Sequence, residues 1–175
     1  MAATPTEKDK LKAGCINLFI GIMGSGKTPY LQNAIEESGI ENSIVYDRRR
    51  EYDTKRHSVF YSLKNFKNFW NTVTDAEVTI EEATGIIAYY KDLELSDILI
   101  GMQHNRNVLN FCFHSVADTP DFIVRLCDFI FLFPTNDTPD KIKVSRPKIY
   151  PYLLMPNEKT AEGWNIPKII EYQLN

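Results

Sequence analysis

The segment Gly21-Ile22-Met23-Gly24-Ser25-Gly26-Lys27-Thr28 fits the pattern G-x-x-x-x-G-K-[ST], a loop built to hold nucleotide phosphates. The chemistry accounts for each residue type. Glycines let the backbone wrap a phosphate with successive N–H groups pointing inward. A helix opening directly after the loop adds its positive amino end. Lys27 brings a point charge to the β- and γ-phosphates, and the Thr28 hydroxyl ligates Mg²⁺. Pro29 is unusual after the threonine, but a proline in the first helical turn loses no necessary N–H. The expected nucleotide-contacting set is therefore Gly21, Met23, Gly24, Ser25, Gly26, Lys27, Thr28 and Pro29, with ATP and Mg²⁺ as the ligands.

A phosphate loop alone does not separate kinases, GTPases and motor ATPases; acidic residues do. The run Val78-Thr79-Ile80 leads into Glu81-Glu82. A carboxylate at a strand end beside the loop holds Mg²⁺ through water, and a second takes a proton from the attacking water. This assigns Glu81 to the metal, together with Thr28, and Glu82 to the water. Most such sites place Asp first, so Glu81 is a departure. The competing reading is an acid-rich helix start. His114 and Ser115 end a later apolar run, where a polar group senses the γ-phosphate or is simply a satisfied loop residue. No Asn-Lys-x-Asp signature is present, which argues against a GTPase.

These groups need a sheet to position them. Short apolar runs alternate with helical patterns, the signature of a parallel sheet flanked by helices. Strands are expected at Cys15 to Ile20, Ser43 to Tyr46, Glu77 to Ile80, Leu109 to Phe113 and Phe129 to Phe133, with a short edge strand at Ser58 to Tyr61. Helices are expected at Thr28 to Glu37, Leu63 to Thr72, Thr84 to Tyr90, Leu95 to Gln103 and from Pro120 to about Leu126. Beyond Pro134 the pattern weakens. Residues 141–144 and 149–154 read as antiparallel strand additions, Trp164 and Ile166 as a cap on the core, and Ile169 to Gln173 as a last helix. The strand at 43–46 lies between the phosphate loop and the acidic pair, the order of motor-type ATPases rather than of simpler kinases.

The 175 residues fit one domain, 15–175, behind a polar leader, 1–14, without a signal-peptide core. No apolar run approaches 18 residues, so no membrane span and a cytoplasmic location are expected. The net charge of −3 gives no overall pull toward nucleic acid. Cys15, Cys112 and Cys127 fit neither a zinc site nor a disulfide framework and read as buried thiols. Their expected arrangement is as neighbours in the core.

Together, Phe19 to Thr28, Ile44-Val45-Tyr46-Asp47 with Glu51-Tyr52, Ile80-Glu81-Glu82-Ala83, Arg106 through Ser115, and the Pro120 helix with Cys127-Asp128-Phe129-Ile130 resemble the HerA/FtsK superfamily of DNA-pumping ATPases. The resemblance covers about residues 15 to 133. It implies an α/β, RecA-like P-loop NTPase core of strand order 5-1-4-3-2. It implies a ring oligomer, hexamer or pentamer, working on double-stranded DNA. Its small free-standing members include viral genome-packaging ATPases, so a capsid vertex in the host cytoplasm or virion is the implied setting. In that superfamily an arginine before the fourth strand reaches a neighbour's nucleotide, and Arg106 holds that position; otherwise it is a solvated surface arginine. The implied catalytic set is Lys27, Glu81, Glu82, Arg106 and His114. The rival readings are a small-molecule or nucleotide kinase using Arg48-Arg49-Arg50 as a lid, and a nucleotide-dependent switch module such as a phage assembly protein.

Overall fold

The first apolar run folds as β1 (Ile16–Ile20), and every one of its residues is buried. Near-continuous burial is what a central strand covered on both faces requires. In the computed structural model, which describes residues 14–70, 72–84, 99–138, 140 and 168–171, the further elements follow in chain order. They are α1 (Lys27–Ser38), β2 (Ser43–Tyr46), β3 (Ser58–Phe60), α2 (Leu63–Trp70), β4 (Glu77–Ile80), β5 (Val108–Phe113), α3 (Asp121–Leu126), β6 (Phe129–Leu132) and β7 (Lys168–Glu171). Residues 99–104 are also helical.

Among the described residues, seven strands form one sheet in the order β3-β2-β4-β5-β1-β6-β7, and every pairing is parallel. The expected five-strand order corresponds to β6-β1-β5-β4-β2 and is met. Two strands extend it, β3 beyond β2 and β7 beyond β6.

One assignment is corrected. Residues from Ile169 onward read as a helix, yet Lys168–Glu171 is a strand paired parallel with β6, from Phe129↔Lys168 to Leu132↔Glu171. A short apolar run carries no period that separates helix from strand, and the open edge of β6 supplies its backbone partners. The antiparallel additions at 141–144 and 149–154, the Trp164 and Ile166 cap, the body of the helix at 84–90 and the leader before Gly14 lie outside the described residues.

Both faces of the sheet are covered. On one, α1 buries Leu31 and Ile35, four apart and so on one helix face, against Phe19, Val45, Cys112 and Phe131. Phe19 and Phe131 stack at 4.6 Å between centroids. On the other, the fully buried Phe66 of α2 meets Tyr46 at 5.5 Å and Phe60 at 6.0 Å. α1 ends at Gly39, whose left-handed φ of 70° suits glycine at that position. The three cysteines are buried and no disulfide joins them. They do not gather in one place: Cys112 packs in the α1 layer and Cys127 in the opposite one. Adjacent strands do not make adjacent side chains when the pleat sends them to opposite faces. Among the described residues, no helix is long and apolar enough to cross a membrane.

A polar chain runs beneath α1. Asn17 of β1 donates to Asn110 of β5 at 2.8 Å, and Asn110 donates to Glu77 of β4 at 2.8 Å. Ser38 at the end of α1 donates to the other Glu77 oxygen at 2.8 Å. Burial pushes the Glu77 carboxyl above its usual value of 4.5, against these two hydrogen bonds. A raised folded value means that stability present below 4.5 is lost as pH rises through the folded value. Glu77→Gln keeps both contacts, because an amide oxygen accepts from Asn110 and its NH₂ donates to the Ser38 oxygen. Denaturant midpoints from pH 4 to 8 should therefore fall less steeply for the variant than for wild type. Parallel profiles would show that Glu77 titrates alike in the folded and unfolded states and would overturn the effect of burial.

Candidate active site

In an all-parallel sheet the carboxyl ends of the strands share one edge, and ligands bind there. That edge collects Gly21 after β1, Asp47 after β2, Glu81 after β4 and His114 after β5. Between them lies a cavity of about 370 Å³, lined by phosphate-loop residues, Glu81, Glu82 and His114.

The phosphate loop is fixed at its root by its neighbours. Gly21 donates to Phe113 O at 3.1 Å and Ile22 to Pro134 O at 2.9 Å. A Cβ at Gly21 would lie 2.6 Å from Phe133 Cβ, so only glycine fits. Gly26 caps α1 with φ 91°, a conformation that glycine adopts without strain. The first i→i−4 bond of the helix runs from Tyr30 N to Gly26 O, so Pro29 removes no donor the helix needs. Met23 sits at the loop tip, 66% exposed. Met23, Gly24, Gly26, Lys27, Thr28 and Pro29 all line the cavity.

Lys27 folds back over the loop, its Nζ donating to Gly21 O at 2.6 Å and Ile22 O at 2.9 Å. Only 7% of the residue is exposed, and burial holds the ammonium below its usual value, with Glu81 among the groups opposing this. A desolvated cation held by two neutral carbonyls gains most from an anion, which is what a phosphate supplies.

Glu81 is also 7% exposed. Burial pushes its carboxyl up, opposed by the Tyr52 hydroxyl, which donates to Oε1 at 2.9 Å. Thr28 and Glu81 offer a hydroxyl and a carboxylate to the same cavity, oxygen ligands of the kind Mg²⁺ takes. Among the described residues no three His, Cys, Asp or Glu side chains converge as a metal cage.

Glu82 has a left-handed backbone, φ 53°, which costs a side chain of this kind about 1–2 kcal/mol. Its Oε1 lies 2.5 Å from Arg49 Nε. His114 is partly buried and faces the cavity, whereas the Ser115 hydroxyl turns to Asp118 at 2.5 Å. Arg106 is not in this cavity. It precedes β5 at the opposite edge, exposed and ion-paired with Asp75.

Three groups at the site lie outside the expected catalytic and nucleotide-contacting sets: Arg49, Tyr52 and Cys112. The Cys112 thiol, fully buried beside Glu81, is held in its neutral form by burial and by that carboxyl. Arg49 and Tyr52 are placed by Asp47, whose carboxylate accepts from the N–H groups of Arg49 at 2.8 Å, Arg50 at 3.0 Å, Glu51 at 2.6 Å and Tyr52 at 3.1 Å.

No family model and no curated protein sequence matches the chain. Solved structures do. B204 from Sulfolobus turreted icosahedral virus 2, a genome packaging NTPase in complex with AMPPCP, aligns with a TM-score of 0.58 at 16% identity, over 76% of this chain and 82% of that one. The chain shares the B204 fold. B204 from Sulfolobus turreted icosahedral virus, a DNA-packaging ATPase, aligns with a TM-score of 0.57 at 18% identity, over 77% and 83%. The AMP complex of B204 from virus 2 gives 0.57 and 16%, over 75% and 81%. At such identity the likeness is one of fold, and the chemistry rests on the residues described above.

Proposed function

We propose that residues 15–175 form a single ATPase domain that hydrolyses ATP to translocate double-stranded DNA into a viral capsid. The observation that carries this reading is the convergence of Lys27, Thr28, Glu81 and Glu82 on one cavity at the carboxyl edge of the sheet. The B204 fold supports the packaging role, and its complexes with AMP and AMPPCP support an adenine nucleotide as ligand.

In this reading the phosphate loop and Lys27 hold the β- and γ-phosphates, and water attacks the γ-phosphorus in line. Glu82 takes the proton of that water as the bond to the β,γ-bridging oxygen breaks, leaving ADP and phosphate. Mg²⁺, bound by Thr28 and Glu81, supplies charge neutralisation on the phosphate oxygens when present. His114 faces the γ-phosphate as a sensor. Arg106 reaches the site of the next protomer in a hexameric or pentameric ring, docked at a capsid vertex in the host cytoplasm or the virion.

The test is ATP hydrolysis with and without duplex DNA, with Lys27→Ala as the inactive control. A motor shows turnover that rises on adding DNA and vanishes with the control. Turnover indifferent to DNA overturns translocation, and phosphate delivered to an added acceptor instead of water identifies a kinase.

A further inference from the structure

The run Arg48-Arg49-Arg50 enters the sequence reading only as the lid of the rival kinase, and the proposed hydrolysis leaves it without a role. The structure divides it. Arg50 lies over the Tyr61 ring, its guanidinium carbon 4.9 Å from the centroid. Arg49 lines the nucleotide cavity and pairs with Glu82. Its placement is not that of a loose surface side chain. The Asp47 carboxylate grips the N–H groups of residues 49 to 52, fixing this loop to the end of β2. Lys27 and Arg49 thus offer two cations to one cavity.

We infer that Arg49 is a positioning residue that reads the γ-phosphate. Without a triphosphate it holds Glu82 in an ion pair; a bound γ-phosphate draws it away and releases the carboxylate to the attacking water. The inference rests on the hydrolytic reading, with Glu82 as the base. While Glu82 Oε1 is engaged by the guanidinium at 2.5 Å, that oxygen is not offered to a water proton. Both side chains are partly exposed, 37% and 24%, so the pair is a weak one. A terminal phosphate carries more charge than a carboxylate and matches the guanidinium fork, so exchange toward it is favourable. A diphosphate brings no γ-phosphate and leaves the pair closed.

The experiment is calorimetric titration of the full chain with Mg²⁺ and either ADP or AMPPCP, a triphosphate analogue that is not hydrolysed. Arg49→Ala should weaken AMPPCP binding about ten-fold or more and leave ADP binding unchanged. Arg49→Lys should recover part of the loss. Glu82→Gln should tighten AMPPCP binding roughly two- to five-fold, because Arg49 no longer has a carboxylate to leave. That gain should be absent when Arg49→Ala is present as well. Equal weakening of both nucleotides by Arg49→Ala, or a Glu82→Gln gain that persists without Arg49, overturns the inference. These readings do not depend on turnover. If they hold while Glu82→Gln hydrolyses ATP at the wild-type rate, the γ-phosphate contact stands and Glu82 is not the base.

Discussion

Glu82→Gln is expected to bind ATP and to lose its hydrolysis by about 10²–10⁴-fold, the range of a positioned general base. The side chain lies at the carboxyl edge of the sheet, two residues beyond the end of β4, in the cavity that holds Lys27 and Thr28. Its backbone there is left-handed, at a cost in conformational energy. The amide has nearly the same shape as the carboxylate but takes no proton from water. Binding rests mainly on the phosphate loop and on Lys27, neither of which touches Glu82 in the hydrogen bonds of the site, and Arg49, which does, is freed by the change. Single-turnover hydrolysis with bound ATP separates the two steps. A variant with wild-type turnover moves the base elsewhere, and Glu81 becomes the next candidate. The structure makes Glu81 the poorer one, since its Oε1 is occupied by Tyr52 and the residue is almost fully buried.

The parts of this site that the sequence revealed are those governed by local rules. The phosphate loop needs glycine at Gly21 and Gly26 for a close approach and a left-handed turn, and such needs leave a pattern in the chain. Strands β2 and β4 fall on the residues expected from their apolar runs, because a strand covered on both faces has to be apolar nearly throughout. The same continuity hides which way each residue points. All of β5 is buried, so no alternation in the sequence says that Cys112 faces the nucleotide cavity while its neighbours Phe111 and Phe113 face the other core. Arg49 and Tyr52 join the site only through tertiary contacts, to Glu82 and Glu81, residues about thirty positions away in the chain. The strand character of the β7 residues comes from the edge of β6, a partner that the segment's own sequence does not show.

Arg106→Ala is expected to bind ATP normally and hydrolyse it poorly, with activity restored by mixing. Arg106 lies between residues 99–104 and β5, at the amino end of a strand whose carboxyl end carries the cavity. A six-residue strand rises about 3.3 Å per residue, so the sheet stands between this arginine and the nucleotide of its own chain. Its side chain is 69% exposed, paired with Asp75 of the segment before β4, and its backbone is left-handed at φ 58°. An exposed guanidinium at the far edge serves a nucleotide only if a second copy brings its own cavity to that edge. An arginine supplied across such a boundary is worth ~10³–10⁵ in rate. Its charge acts on the transition state, so ATP affinity barely changes when it is removed. Rings mixed from Arg106→Ala and Glu82→Gln subunits contain interfaces at which a chain with an intact Glu82 meets a neighbour with an intact Arg106. Those interfaces should hydrolyse ATP, and the mixture should exceed the sum of the two variants measured apart. Activity no greater than that sum places Arg106 outside the reaction, and full activity from a monomeric wild-type protein removes the ring altogether.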